Sequence, residues 1–221
     1  MAISAVLFDI DGTLVDSVYA HVGSWQRAFA EVGRTVPAAE IHRQIGKDGS
    51  LLVHDLMTDH GGFDQQVADD ASERHSRLYL ADASRLDVLP SARELLSAVA
   101  GRGLRVVLAT SAPPEELEIL RDLLDVEEHV YAVTSGDDVD TAKPDATVVA
   151  IAVERAGVDP AEAVMVGDAT WDAIAATKIG VRSVGVRAGG IGADELADAG
   201  AAVVYDDPAD LLAHLDEALD V

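Results

Sequence analysis

Apolar residues along this chain follow two alternating rhythms. Short β-branched and aliphatic runs occupy residues 3–8, 104–109, 163–166, 182–186 and 201–205, with 129–134 as a sixth candidate. Continuous runs of this length read as strands buried on both faces. Between them apolar positions recur at helical spacing, as in Ala92-Leu95-Leu96-Val99, Leu117-Leu120-Leu124 and Val148-Ile151-Ala152-Ala156. Strand and helix alternating in this way predict an α/β fold, a Rossmann-like three-layer core around a mostly parallel sheet.

One stretch breaks the alternation. Residues 16–87 carry helical periodicity and no convincing strand, and Pro37, Gly46, Gly49 and Gly61-Gly62 punctuate them into about four helices. That is too long for a simple crossover. It reads as an α-helical insert placed after the first strand, so the expected organisation is a core of residues 1–15 and 88–221 and a helical domain of 16–87. The core resumes at Val88-Leu89-Pro90, where Pro90 suits a helix start.

A length of 221 residues accommodates a main domain with such an insert. Aromatic residues make up only 4%, so the core has to be built from Ala, Val, Leu and Ile. The formal net charge of -24 repels nucleic acid and anionic membranes, and neither is expected as a partner. It also repels phosphate esters, so a phosphate site needs local positive charge; the lysines are Lys47, Lys143 and Lys178. The plainer reading of the acidity is solubility. There is no cysteine, which excludes disulfides and thiolate metal sites. With no signal-peptide pattern in residues 1–8 and no apolar stretch of membrane-spanning length, a cytoplasmic protein is expected.

In open parallel sheets ligands bind beyond the carboxyl ends of the strands. Asp9, Thr110, Ser111, Gly167 and Asp168 each follow the apolar part of a strand and therefore share one rim. In Phe8-Asp9-Ile10-Asp11-Gly12-Thr13, two carboxylates at a strand end precede a glycine. A simple Asp-Gly turn accounts for part of this pattern. An EF-hand loop does not, because that pattern needs a third oxygen ligand before the glycine and a Glu further on, and both are missing. In Gly167-Asp168-Ala169-Thr170-Trp171-Asp172 the two acids lie one helical turn apart on one face. An ordinary helix N-terminus would explain either acid, but not their facing Asp9 across the rim. Carboxylates so gathered repel unless a hard cation sits among them, and few protein ligands with room for water and phosphate suit Mg²⁺. Lys143, in Ala142-Lys143-Pro144-Asp145, stands just before a helix that Pro144 is placed to open; it is either a solvated loop lysine or the ammonium that balances the acids. Thr110-Ser111 offers hydroxyls and backbone N–H groups for phosphate oxygens, or a helix cap at Ser111.

Together these segments resemble the haloacid dehalogenase-like hydrolase superfamily, of the type with a small α-helical cap after the first motif. The four motifs read FDIDGT, LATS, AKP and GDATWD, in order over the whole length. The resemblance implies that Asp9 is the nucleophile forming an aspartyl-phosphate and that Asp11 is the general acid and then base. It implies that Asp9, the backbone carbonyl of Asp11 and Asp168 hold Mg²⁺, with Asp172 in support. Thr110 and the backbone near Ser111 would bind the phosphoryl group, and Lys143 would offset its charge. The expected reaction is hydrolysis of a small phosphorylated metabolite, a phosphosugar or phosphoglycolate-like ester, by a monomer or homodimer.

Within the insert, Asp16 and Ser17 lie where the chain leaves the core, and either could cap the next helix. His21 and Trp25 are one turn apart on that helix, a substrate-facing pair or a face with one buried aromatic and one surface histidine. Lys47, in Gln44-Ile45-Gly46-Lys47-Asp48-Gly49, could meet a second anionic group or face solvent. His21 and this loop resemble features of the β-phosphoglucomutase-like subgroup, so a phosphosugar mutase is the alternative reading. The GDATWD fourth motif and the lack of Ala-Pro after Pro144 weigh against it. A non-catalytic cation-binding module is the third reading.

Overall fold

The computed structural model describes residues 2–138, 143 and 145–219. The chain runs through β1 (Ala5–Phe8), β2 (Val15–Asp16), α1 (Val18–Glu31), α2 (Ala38–His42), α3 (Gly49–Asp59) and α4 (Gln65–Asp82). It continues through β3 (Asp87–Val88), α5 (Ala92–Gly101), β4 (Arg105–Leu108), α6 (Pro114–Leu124), β5 (Val130–Val133) and α7 (Thr147–Ala156). The last stretch holds β6 (Ala163–Gly167), α8 (Thr170–Lys178), β7 (Arg182–Val186), α9 (Ala193–Asp198), β8 (Ala201–Tyr205), α10 (Pro208–Ala213) and α11 (Leu215–Leu219). By compactness it divides into Met1–Asp16 with Asp87–Val221, and Ser17–Leu86.

The first unit is built on a six-stranded sheet of order β5-β4-β1-β6-β7-β8, with every pair parallel. The six expected strands are these six. Both alternations of the inner strands are buried: Ala5, Leu7, Val107, Ala109, Ala163 and Met165 pack against Val148, Val149, Ala152 and Val153 of α7, while Val6, Phe8, Val106, Leu108, Val164 and Val166 on the opposite alternation are as fully buried. That is why these strands read as unbroken apolar runs rather than alternating ones. From β1 the chain moves outward to β4 and β5, then returns to β6 on the other side of β1. The order therefore reverses between β1 and β6, the switch point where ligands bind in such sheets.

Sequence periodicity did not reveal β2 and β3. They form a two-residue antiparallel pair, Val15 with Val88 and Asp16 with Asp87, which ties together the two points where the chain leaves and re-enters this unit. α5 starts at Ala92, two residues after Pro90, with Ser91 in the left-handed region at φ 60°.

The second unit contains α1 to α4 around its own core. Val18, Val22, Trp25 and Phe29 of α1 pack with Leu52, Val53, Leu56 and Met57 of α3 and Ala68, Ala71 and Leu78 of α4. Acidic N-caps open α3 and α4: Asp48 accepts from the N–H groups of Ser50 and Leu51, and Asp64 from that of Val67. Ser17 takes the N-cap position of α1 without a capping hydrogen bond from its side chain. No described helix is long and apolar enough to cross a membrane.

Candidate active site

The site is set by backbone pairing at the carboxyl end of β1. Phe8 is in register with Leu108 on one side and Val166 on the other. One residue on, the Asp9 N–H donates to the Val166 carbonyl at 2.9 Å, and the Ala109 N–H donates to that of Phe8 at 2.6 Å. Asp9 is thereby fixed between the ends of two neighbouring strands, and it is buried. Gly12 follows in the left-handed region at φ 74°, where only glycine is at ease. Its N–H reaches the Val15 carbonyl at 2.8 Å, and this tight turn holds Asp11 half-buried, bridged to Val15.

Asp168 leaves the end of β6, and Asp172 sits in the first turn of α8. There one oxygen, Oδ2, accepts the Ala169 N–H at 3.1 Å. The acid is thus both the helix-terminal group and part of the rim. Lys143 is 1% exposed; its Nζ donates to Asp9 Oδ1 at 2.7 Å and lies 2.6 Å from Asp172 Oδ1. The second contact is an ion pair off the hydrogen-bonding direction, since Asp172 Oδ1 is buried and makes no well-directed hydrogen bond among the described residues. Lys143 is therefore no solvated loop lysine. Ala142 and Pro144 of the third motif lie outside the described residues; α7 itself begins at Thr147, whose N–H is accepted by Asp145 at 3.0 Å.

Asp9, Asp168 and Asp172 each bring a carboxylate oxygen within 4.8 Å of the others, all three residues buried. Against these three negative charges stands the single ammonium of Lys143, which leaves an excess of two. The titration behaviour follows. Burial pushes Asp9 up to about 7, opposed by the Lys143 ammonium and reinforced by the charges of Asp172 and Asp11. Burial, then Asp172 and Asp9, raise Asp168 well above the usual carboxylate range, against the hydrogen bond from Thr13 and the charge of Lys143. For Lys143 burial works toward the neutral form, but Asp172 and Asp9 outweigh it and its pKa is raised. The ammonium stays charged, while Asp9 and Asp168 are pushed toward their neutral forms. Three hard oxygen donors, an excess charge of two and a buried oxygen with no directed hydrogen bond together fit a small divalent cation.

The flanking groups come from the β4 end. Thr110 is buried, and its hydroxyl oxygen accepts the Ala112 N–H at 3.0 Å, which leaves the hydroxyl proton available to a ligand. The Ala112 N–H is thereby engaged. Thr134 at the end of β5 donates its hydroxyl to the Thr110 carbonyl at 2.8 Å and braces that loop. Ser111 is half-exposed and is not the cap of α6, whose N-cap position is Pro113.

The remaining candidates lie in the helical unit. His21 is buried, not on the surface: its Nδ1 is 3.2 Å from His75 Nε2, and its ring stacks on Tyr79 with centroids 3.9 Å apart. Trp25 stacks on His75 at 3.9 Å. The Lys47 side chain is 9% exposed, folded back onto the Asp55 carboxylate and the Gln44 side chain.

Two positions went unremarked in the sequence. The Thr13 hydroxyl donates to Asp168 Oδ1 at 2.9 Å; its place in the first motif was visible, its partner 155 residues away was not. Gly189, in the loop after β7, lies against the Asp168 carboxylate so closely that a β-carbon there would overlap it. The adjacency of β6 and β7 is the signal that could have found it.

Residues 3–180 match the family described as haloacid dehalogenase-like hydrolase. A phosphoglycolate phosphatase of Rhodospirillum rubrum is 31% identical over 214 residues, covering 94% of this chain and 88% of that protein. The crystal structure of a hydrolase from Pseudomonas syringae superposes with a TM-score of 0.92 at 34% identity, covering 97% of this chain and 98% of the other. A β-phosphoglucomutase of Clostridium difficile shares the fold, with a TM-score of 0.85 at 18% identity over 99% of this chain and 97% of its own.

Proposed function

Since the chain belongs to the haloacid dehalogenase-like hydrolases, we propose that its buried acidic site hydrolyses a small phosphate monoester with Asp9 as nucleophile. The observation that carries this reading is the contact of Lys143 with Asp9 and Asp172 beside Asp168, deep at the switch point of the sheet. The named activity of relatives such as the R. rubrum phosphatase makes phosphoglycolate the first substrate to test, with sugar phosphates second.

Mg²⁺ is the cation assigned to the cluster: Asp9, the Asp11 backbone carbonyl and Asp168 would hold it, with Asp172 in support, and it would offset the charge of the carboxylates and of the phosphoryl oxygens. In the first step a carboxylate oxygen of Asp9 attacks phosphorus, the bond from phosphorus to the ester oxygen breaks, and the leaving oxygen takes the proton of Asp11. In the second, Asp11 removes a proton from water, the water oxygen attacks phosphorus, and the bond to Asp9 breaks to free inorganic phosphate. Lys143 anchors one oxygen of Asp9 throughout and adds a positive charge as the phosphoryl group passes. The Thr110 hydroxyl donates to a phosphoryl oxygen, with Ser111 beside it. The Asp11 carboxyl is what suits the site to phosphoryl transfer, since the leaving oxygen needs a proton.

The helical unit is assigned the role of cap, the part that selects the substrate. His21 and Lys47 are its candidate contacts. An anionic substrate group would have to draw Lys47 from Asp55, so Lys47→Met tests that contact through KM.

Purified protein supplied with phosphoglycolate, hexose 1-phosphates and other small monoesters, with and without Mg²⁺, is expected to release inorganic phosphate in the presence of the metal. Asp9→Asn is expected to lower turnover by at least about three orders of magnitude with the fold retained. Conversion of a hexose 1-phosphate to its 6-phosphate without phosphate release would replace this reading with the mutase.

A further inference from the structure

A metal-binding carboxylate has to be held in one rotamer, and Asp168 is gripped from two sides by residues outside the acidic cluster. On one side the Thr13 hydroxyl donates to Oδ1 at 2.9 Å. On the other, Gly189 leaves empty the volume that Oδ2 occupies. A β-carbon built at Gly189 overlaps Oδ2 and comes within 2.6 Å of Cγ and 3.0 Å of the Asp168 Cβ. Swinging the carboxylate aside would take it out of its present rotamer, and the Asp168 Cβ at 3.0 Å would still have to give by a few tenths of an ångström.

The backbone does not explain this glycine. Gly189 is absent from the positive-φ glycines, whereas its neighbour Gly190 has a φ of 91° and needs to be glycine for that reason alone. Gly189 has no such conformational demand, so its missing side chain answers to space. The same relation holds one strand over: a β-carbon on Gly167, also free of positive φ, would overlap the Asp172 carboxylate. Each glycine makes room for one of the acids. Gly167 sits inside the GDATWD segment, but Gly189 belongs to none of the four motifs and lies 21 residues beyond Asp168 in sequence.

We propose that Gly189 and Thr13 are positioning residues for the cation site, holding the Asp168 carboxylate from opposite sides in its ligating orientation. The proposal rests on the assignment of Asp168 as a ligand. Removing an outer partner of a metal ligand typically costs about 10- to 100-fold in metal affinity, and that is the effect expected here.

The test is calorimetric titration of the purified, metal-stripped chain with Mg²⁺. Gly189→Ala is expected to bind Mg²⁺ at least about tenfold more weakly than the parent, with a lowered metal-free melting temperature because Asp168 has to shift. Thr13→Val, which keeps the shape and removes the hydroxyl, is expected to weaken Mg²⁺ by a comparable factor, and Thr13→Ser to restore it. Asp168→Asn sets the reference. If that variant binds Mg²⁺ like the parent, the cation assignment itself fails. If Asp168→Asn is weakened while Gly189→Ala and Thr13→Val bind normally, the cation site stands and the positioning role is overturned. Should Gly189→Ala not fold, the contrast between Thr13→Val and Thr13→Ser carries the decision, and equal affinity in those two overturns the proposal.

Discussion

At the scale of single residues the site is governed by the Lys143 ammonium. It is buried with two carboxylates at 2.7 and 2.6 Å, and removing one partner of a buried ionic group leaves the others uncompensated. Lys143→Met is therefore expected to cost activity by at least about 100-fold and to destabilise the metal-free protein at neutral pH by about 3–5 kcal/mol, read by denaturant unfolding. Unchanged stability in that variant would mean that Asp9 and Asp172 do not depend on it. Proton linkage gives a second expectation. Without metal, Asp9 titrates near 7 in the fold but near 3.8 when unfolded, so between those values the native state holds a proton that the unfolded chain has lost. The contribution of Asp9 to the stability of the metal-free protein then falls as pH rises through this window, by up to about 1.4 kcal/mol per pH unit for one proton, and levels off above it. The lowered carboxyls of Asp55, Glu127, Asp138 and Asp145 act with the opposite sign only at the acidic end. Asp168, raised in the same direction, steepens the fall. Mg²⁺ competes with those protons, so its affinity should climb over the same range. Unfolding curves at stepped pH, with EDTA and with Mg²⁺, show both; metal-free stability that rises from about pH 5.5 to 7, above the range where the other carboxyls titrate, contradicts the charge assignment.

At the scale of elements, strand and helix were readable where a pattern had length to repeat. The runs at β1, β4, β6 and β7 announced themselves because burial on both faces leaves little polar interruption, while the edge strands β5 and β8 are only partly buried and showed as β-branched runs. The acids at the ends of β1 and β6 could be placed on one rim from topology alone. What escaped were features without a period or without a local cause. β2 and β3 are two residues each, too short for alternation to register. The Thr13 to Asp168 hydrogen bond joins opposite ends of the chain. The burial of His21 against His75 and Tyr79 follows from how α1 packs on α4, which periodicity does not specify. The β2–β3 pair carries its own prediction. Asp16 and Asp87 are opposite each other and exposed, and like charges so placed destabilise a strand pair. Asp87→Lys is expected to stabilise the protein by about 0.2–1 kcal/mol at low salt, with the gain shrinking as salt is added. A lower melting temperature in low salt would show that the two acids are held apart.

At the scale of the whole molecule, a chain of net charge -24 carries out chemistry proposed for an anionic substrate. The compensation is local, a scarce lysine and a cation site buried together where the sheet order reverses, while the surface field favours solubility. The four motif segments are far apart in sequence and meet only because β1 lies between β4 and β6. The proposed hydrolysis requires that Asp9 receive the phosphoryl group. Rapid acid quench of the Mg²⁺-loaded enzyme during turnover of its best substrate, followed by peptide mass analysis, examines that transfer directly. The prediction is a peptide spanning Asp9 that is heavier by one phosphoryl group, base-labile, and missing in Asp9→Asn. Steady turnover with no phosphoryl adduct on that peptide, together with an active Asp9→Asn enzyme, would contradict it.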